Sequence, residues 1–77
     1  MSVADARIAW ACRRGMLELD IVLSRFLEQR YAGLADTERA LFAEALTLSD
    51  QDLWQLISTS APPPANLSSI IRQLREV

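Results

Sequence analysis

The fold turns on one short stretch of sequence, Cys12-Arg13-Arg14-Gly15-Met16-Leu17-Glu18-Leu19-Asp20. A first helix must end within this stretch and a second must begin, because Gly15 is the residue type that most often takes the positive φ after a helix. Arg13 and Arg14 precede it, where cations suit the negative end of a helix dipole. The sequence therefore predicts a sharp corner here.

The first helix is predicted to run from about Val3 to Arg14, because Ser2 opens a Ser-x-x-Asp start signal. At ~100° per residue, its predicted core face groups Ala4, Ile8, Ala11 and Cys12. A separate stripe carries Arg7, Trp10 and Arg14. Trp10 is therefore expected either to lie exposed beside the arginines or to pack under their side chains or against the second helix.

The second helix is predicted from near Met16 to about Tyr31, and Gly33 marks its end. Its inward stripe consists of Leu19, Val22, Leu23 and Phe26, with Leu27 at the margin. Leu17 and Ile21 point in nearly the opposite direction. Because a helix that is apolar on two sides usually lies inside a bundle, we expect this helix in the middle.

Three shorter helices are predicted in the rest of the chain. Asp36 or Thr37 is expected to cap the third, Ser49 the fourth and Asn66 the last, and the proline tract 62–64 interrupts the chain between the last two. Their predicted apolar faces are Leu41, Phe42, Ala45 and Leu46; Leu53, Trp54, Leu56 and Ile57; and Ile70, Ile71 and Leu74. The predicted fold is an all-α, compact bundle of about five short helices, with residues 1–77 forming one domain.

Composition excludes several classes of function. The net charge of −2 argues against a general nucleic-acid binder, and no apolar run approaches the ~18 residues of a membrane span, so we expect neither nucleic acid nor membrane insertion. The chain has no histidine, one cysteine and no glycine-rich phosphate loop, so we expect no metal site, no catalytic residue and no enzymatic activity. A single cysteine fits a reducing compartment, and we expect a cytoplasmic protein.

The residues of the corner admit two interpretations. Arg13, Arg14, Gly15 and Glu18 all lie where the ends of helices favour them, and each such charge effect contributes only about 0.3–1 kcal/mol. An exposed Trp10 beside arginines would instead be typical of a protein interface. Glu18 and Asp20 do not form a catalytic pair, because residues two apart on a helix do not face each other.

The run from Arg7 through Trp10 to Asp20 resembles the SdhE family, the FAD assembly factors of succinate dehydrogenase. The family's Arg-Gly-x-x-Glu signature corresponds to Arg14, Gly15 and Glu18. The resemblance extends over roughly residues 6 to 57 and includes the Asp50-x-Asp52-Leu53 segment. The chain departs from the family pattern at Ala9, at Leu56 and in the proline tract.

The resemblance implies a small helical chaperone that is not an enzyme. Such a factor binds the flavoprotein subunit of succinate dehydrogenase or fumarate reductase and promotes covalent attachment of FAD, a step that the subunit itself catalyses. The factor holds no cofactor stably and acts on the FAD of its partner. The implied contact centre is Arg14, Gly15 and Glu18, and the implied neighbours are Arg7, Trp10, Arg13, Met16 and Asp20. We hypothesise that Gly15 admits a partner backbone while Arg14 and Glu18 offer opposite charges.

Three other classes of function share features of size, fold or composition with this chain. An antitoxin-type regulatory interaction module is compatible with the same fold and composition. A helix-turn-helix DNA binder would need more cations on its recognition helix, whereas the second helix balances the charges of Arg25 and Arg30 with those of Glu18, Asp20 and Glu28. An acyl-carrier domain would need an Asp-Ser-Leu attachment site, which the sequence lacks.

Overall fold

Five α-helices follow one another in residues 3–77, the part of the chain that this computed structural model describes, without the side chain of Ala4. They are α1 (Val3–Ala11), α2 (Leu17–Gln29), α3 (Asp36–Ala45), α4 (Asp50–Ser58) and α5 (Ser68–Glu76), with short 3-10 helices at Tyr31–Gly33 and Ala65–Leu67. The predicted all-α bundle of about five short helices is confirmed. The start signal at Ser2 and the core position of Ala4 lie outside the described residues.

The buried side chains form a single cluster to which α2, α3, α4 and α5 all contribute. In α2 the predicted inward residues Leu19, Leu23 and Phe26 are fully buried. The ring centroids of Phe26 and Phe42 lie 4.6 Å apart, which joins α2 to α3. The helical periodicity therefore predicted the main part of the core correctly.

The centre of the bundle is α5, and the prediction that α2 lies in the middle is wrong. Helix α5 packs against α2, α3 and α4, and its Ile70, Ile71 and Leu74 are buried. The second apolar stripe of α2 faces outward, with Leu17 70% and Ile21 43% exposed. Periodicity predicts which faces are apolar, but it does not predict whether a second apolar face finds a neighbour.

Helix α1 ends at Ala11, three residues before the predicted end at Arg14, and Ala11 itself is exposed rather than buried. The backbone N–H of Arg13 still closes the last turn by donating a hydrogen bond to the backbone carbonyl of Trp10 at 3.1 Å. Beyond it, the carboxylate of Asp20 accepts the next backbone N–H groups, so these groups no longer extend the helix. Arg14 therefore lies outside the helix and does not share a stripe with Trp10.

The capping predictions had mixed outcomes. Ser49 caps α4 as expected, and its hydroxyl accepts a hydrogen bond from the N–H of Asp52 at 3.1 Å. Neither Asp36 nor Thr37 caps α3, because Ala35 is the N-cap residue and Asp36 already forms the first turn. At that position the Asp36 carboxylate interacts favourably with the positive N-terminal end of the helix dipole through its charge alone.

Asn66 does not cap the last helix. It lies within the 3-10 helix that precedes α5, and Leu67 is the N-cap residue. The side-chain amide of Asn66 instead donates a hydrogen bond to the carboxylate of Glu44 at 3.0 Å. This bond holds the 3-10 helix Ala65–Leu67 against α3. None of the helices in residues 3–77 is both long enough and apolar enough to span a membrane.

Candidate functional site

The corner between α1 and α2 is held from within by Asp20. Its Oδ1 accepts from the backbone N–H of Arg14 at 2.8 Å, and its Oδ2 accepts from the N–H of Gly15 at 3.2 Å. Asp20 lies in the first turn of α2, where the helix dipole also favours an anion. Both carboxylate oxygens are thus engaged in fixing the turn.

Gly15 has the positive φ that the sequence predicted, at +87°. It is exposed, and a Cβ added there would meet nothing within 4 Å. The backbone conformation, and not a close neighbour, therefore favours glycine here. The surface in front of Gly15 stays open.

The side chain of Arg14 turns away from the corner toward the α3–α4 connection. Its Nε donates to Asp50 Oδ1 at 2.5 Å, Nη1 donates to the carbonyl of Leu46 at 2.7 Å, and Nη2 donates to the carbonyl of Leu48. Only 13% of the side chain is exposed. These carbonyls lie at and just beyond the C-terminal end of α3, where a cation satisfies otherwise unpaired acceptors.

This geometry corrects our physical hypothesis for Arg14. We expected its guanidinium to offer a free positive charge, but the chain's own acceptors already bind three of its nitrogens. Arg14 joins the α1–α2 corner to the start of α4 and so fixes the position of Gly15. Its place in a partner contact stays a prediction.

Glu18 has a side-chain carboxylate that no other described residue binds. It is exposed in the first turn of α2, and no hydrogen bond or ion pair joins its side chain to another residue in the range 3–77. Asp20, two residues later, turns inward, as expected for residues that do not share a helix face. Of the two carboxylates, only Glu18 is available to another molecule.

The remaining predicted contact residues surround this corner in different environments. Trp10 is 70% exposed, which agrees with the exposed alternative and not with packing against α2, and the guanidinium carbon of Arg13 lies 5.5 Å from its ring centroid. This is a cation–π distance, so Trp10 pairs with Arg13 rather than with Arg14. Arg7 is exposed, whereas Met16 is half-buried and packs against the core.

Sequence reasoning missed the contribution of Asp50 to the corner. We assigned Asp50 only to the first turn of α4, where the structure also places it. Its carboxylate additionally pairs with Arg14, which is 36 residues away in sequence. A local pattern carries no signal for a contact of this range.

Cys12 lies buried beneath the corner and shows no sign of activation. Burial raises the pKa of its thiol to about 11, an effect that Arg14 partly offsets and Asp20 adds to. The thiol is therefore protonated at neutral pH. Within residues 3–77 there is no cluster of three or more His, Cys, Asp or Glu that could hold a metal ion.

Comparison with known proteins identifies relatives over nearly the whole chain. An FAD assembly factor SdhE from Coxiella burnetii is 37% identical over 76 residues, which cover 97% of this chain and 93% of that protein. Proteins of the same name from Shewanella oneidensis and Yersinia pseudotuberculosis are each 39% identical, covering 91% of this chain and 87% and 81% of their own lengths.

These names agree with the prediction that the chain is not an enzyme, and they give no support to the antitoxin alternative. A family model described as flavinator of succinate dehydrogenase matches residues 6–77. The match extends beyond residues 6–57, where the sequence resembles the family, and includes the proline tract and α5. The chain therefore belongs to this flavinator family, the family of the SdhE assembly factors.

Proposed function

We propose that the chain binds the flavoprotein subunit of succinate dehydrogenase, or the corresponding subunit of fumarate reductase, and promotes covalent attachment of its FAD. The description of the family, flavinator of succinate dehydrogenase, supports this class of partner, and the relatives' name, FAD assembly factor, supports the role of FAD. The observation that carries the proposal is the corner itself, where Glu18 is exposed and unpaired among the described residues and Gly15 faces open space.

The rigidity of the corner supports its use in binding. Asp20 fixes the backbone of residues 14 and 15, and Arg14 fixes the corner against α3 and α4. Glu18 therefore starts from a helix turn whose position is already set. A partner that accepts this carboxylate has little backbone conformational entropy to remove from the corner, which favours affinity.

The chemistry of flavin attachment belongs, in this proposal, to the partner. The corner offers a carboxylate and a backbone turn but no histidine, and its one thiol, Cys12, is buried with a raised pKa. The factor acts by binding one conformation of the flavoprotein more tightly than the others, which raises the population of that conformation.

The partner also holds the FAD in this proposal. A dinucleotide pyrophosphate is usually cradled by a glycine-rich turn at the start of a helix, and neither glycine of this chain belongs to such a loop. We therefore expect no stable FAD complex of the isolated chain.

The test replaces Glu18 by Ala and measures covalent flavin in the partner, as fluorescence of the denatured flavoprotein subunit. Glu28→Ala is the matched control, because Glu28 is also an exposed glutamate of α2 and makes no side-chain hydrogen bond or ion pair with the described residues. We expect Glu18→Ala to lose covalent flavin with unchanged thermal stability, and Glu28→Ala to behave as wild type. Normal flavin attachment with Glu18→Ala would contradict the proposal.

A further inference from the structure

A groove between α1 and α2 has no role in the function proposed above. Its volume is about 580 Å³, and its walls include Ala9, Cys12 and Arg13 from the α1 side and Asp20, Ile21 and Arg25 from α2. A second hollow, lined by Trp10 and Arg13, adjoins it through the shared arginine. Together they form one recessed surface, which we call the α1–α2 groove.

Exposed apolar side chains lie in and beside the α1–α2 groove. Ile21 is 43% exposed, and Leu17 and Trp10 are each 70% exposed. Leu17 and Ile21 are one turn apart on α2, so they form a continuous apolar strip. Aromatic and aliphatic side chains grouped at a recess are typical of surfaces that another protein covers.

The charge of the α1–α2 groove is positive. Arg13 and Arg25 oppose a single lining carboxylate, Asp20, which gives a sum of +1. Both oxygens of Asp20 already accept backbone N–H groups, whereas Arg25 is exposed and pairs with no carboxylate of residues 3–77. Glu28 follows Arg25 by one turn, but no ion pair within 4.0 Å joins the two.

The α1–α2 groove continues the corner. Glu18, Ile21 and Arg25 are spaced by three and four residues along α2, so their side chains share one exposed face. A molecule that contacts Glu18 and lies along this face reaches Ile21 and Arg25 within two turns, or about 11 Å. The corner and the groove thus form one uninterrupted surface.

We propose that the α1–α2 groove is a second part of the docking surface and receives a segment of the flavoprotein that carries an apolar side chain next to a carboxylate. The apolar side chain packs against Leu17 and Ile21, and the carboxylate pairs with Arg25 and Arg13. Trp10, with Arg13 above its ring, closes one end of the groove. This inference rests on the proposed function and adds Leu17, Ile21 and Arg25 to its contact residues.

The test measures binding of the isolated flavoprotein subunit by calorimetry for two single variants, Ile21→Ser and Arg25→Glu. The controls are Val3→Ser, which alters another exposed aliphatic residue, and Arg72→Glu, which reverses an exposed cation on α5. We expect each groove variant to weaken binding by about 10-fold or more, as for interface residues whose loss costs over ~1.4 kcal/mol. We expect the controls to bind as wild type, and Arg25→Glu to reduce the salt dependence of the association rate.

The outcomes separate this inference from the proposed function. If both groove variants bind as wild type while Glu18→Ala does not bind, the inference is wrong and the proposed function stands. If the wild-type chain does not bind the flavoprotein at all, both are wrong. If Ile21→Ser dissociates a dimer of this chain without weakening flavoprotein binding, the occupant is a second copy and the inference is overturned.

Discussion

Arg14 holds the corner between α1 and α2 through contacts within the chain. Its guanidinium lies at the C-terminal end of α3, where the carbonyls of Leu46 and Leu48 have no partner within the helix, and Asp50 balances its charge. The planar group matches three acceptors in fixed positions, which an ammonium group does not. The arginine of the signature therefore has a structural reason to be an arginine.

This role predicts that Arg14→Lys lowers the free energy of unfolding by about 2 kcal/mol, because buried carbonyls lose their donors. Asp50→Asn should cost less, about 1 kcal/mol, since 40% of the Asp50 side chain is exposed and solvent screens the ion pair. Denaturant unfolding followed by circular dichroism measures both. Arg72→Lys, an exposed substitution on α5, serves as control, and equal stability of Arg14→Lys and wild type would contradict the assignment.

Cys12 gives a prediction for alkaline pH. The pKa of its thiol is about 11 in the folded chain against an ordinary value of 9.0, so the unfolded chain loses the proton first as the pH rises. The contribution of the thiol to stability is therefore fully present below pH 9.0 and is lost as the pH rises through about 11.

Thermal unfolding of wild type and Cys12→Ala between pH 8 and 11 checks this prediction. The chain has no lysine or histidine, and the other side chain that titrates in this window, Tyr31, is common to both proteins. Burial and a hydrogen bond to Asp5 raise the pKa of Tyr31 as well. We expect the stability difference between the two proteins to shrink above pH 9, whereas parallel curves would contradict the buried thiol.

At the scale of the helices, the sequence predicted apolar faces well and helix ends less well. The inward residues Leu19 and Leu23 of α2 are buried as expected. The end of α1 could not be read from the sequence, because Asp20 takes the N–H groups that would have continued the helix. Where a side chain competes with the helix for backbone donors, propensity and periodicity do not predict which one succeeds.

A matched pair on α2 tests whether this helix buries one face only. Leu19→Ala should lower the free energy of unfolding by about 2–5 kcal/mol, because it removes packed atoms and leaves a cavity in the core. Leu17→Ala, two residues earlier and 70% exposed, should stay within about 0.5 kcal/mol of wild type. Urea unfolding of both variants provides the comparison, and a large loss for Leu17→Ala would mean that its stripe is covered within the chain.

At the scale of the whole molecule, the arrangement of the helices was the least predictable feature. Helix α5 lies at the centre although it is the last element, and Arg14 and Asp50 meet across 36 residues. Both features depend on tertiary contacts, which produce no periodic pattern of residues in the sequence. The candidate site was nevertheless found from local signals, because Gly15 and Glu18 owe their exposure to the corner itself.

In the described chain, the residues that stabilise the fold differ from the residue that we propose for binding. The faces of α2, α3, α4 and α5 that carry the core are closed to solvent, and Arg14 and Asp20 use their polar groups within the chain. Glu18 is left free on the surface that Gly15 opens. We propose that this carboxylate serves binding and not folding.

The most direct measurement is the dissociation constant of the flavoprotein subunit for Glu18→Gln beside Glu28→Gln, together with the unfolding free energy of both variants. Each change removes one exposed carboxylate of α2 and keeps the side-chain shape. We expect about 10-fold or greater weakening for Glu18→Gln alone, with both variants within about 0.5 kcal/mol of wild-type stability. Unchanged affinity for Glu18→Gln, or a large loss of its stability, would contradict the claim.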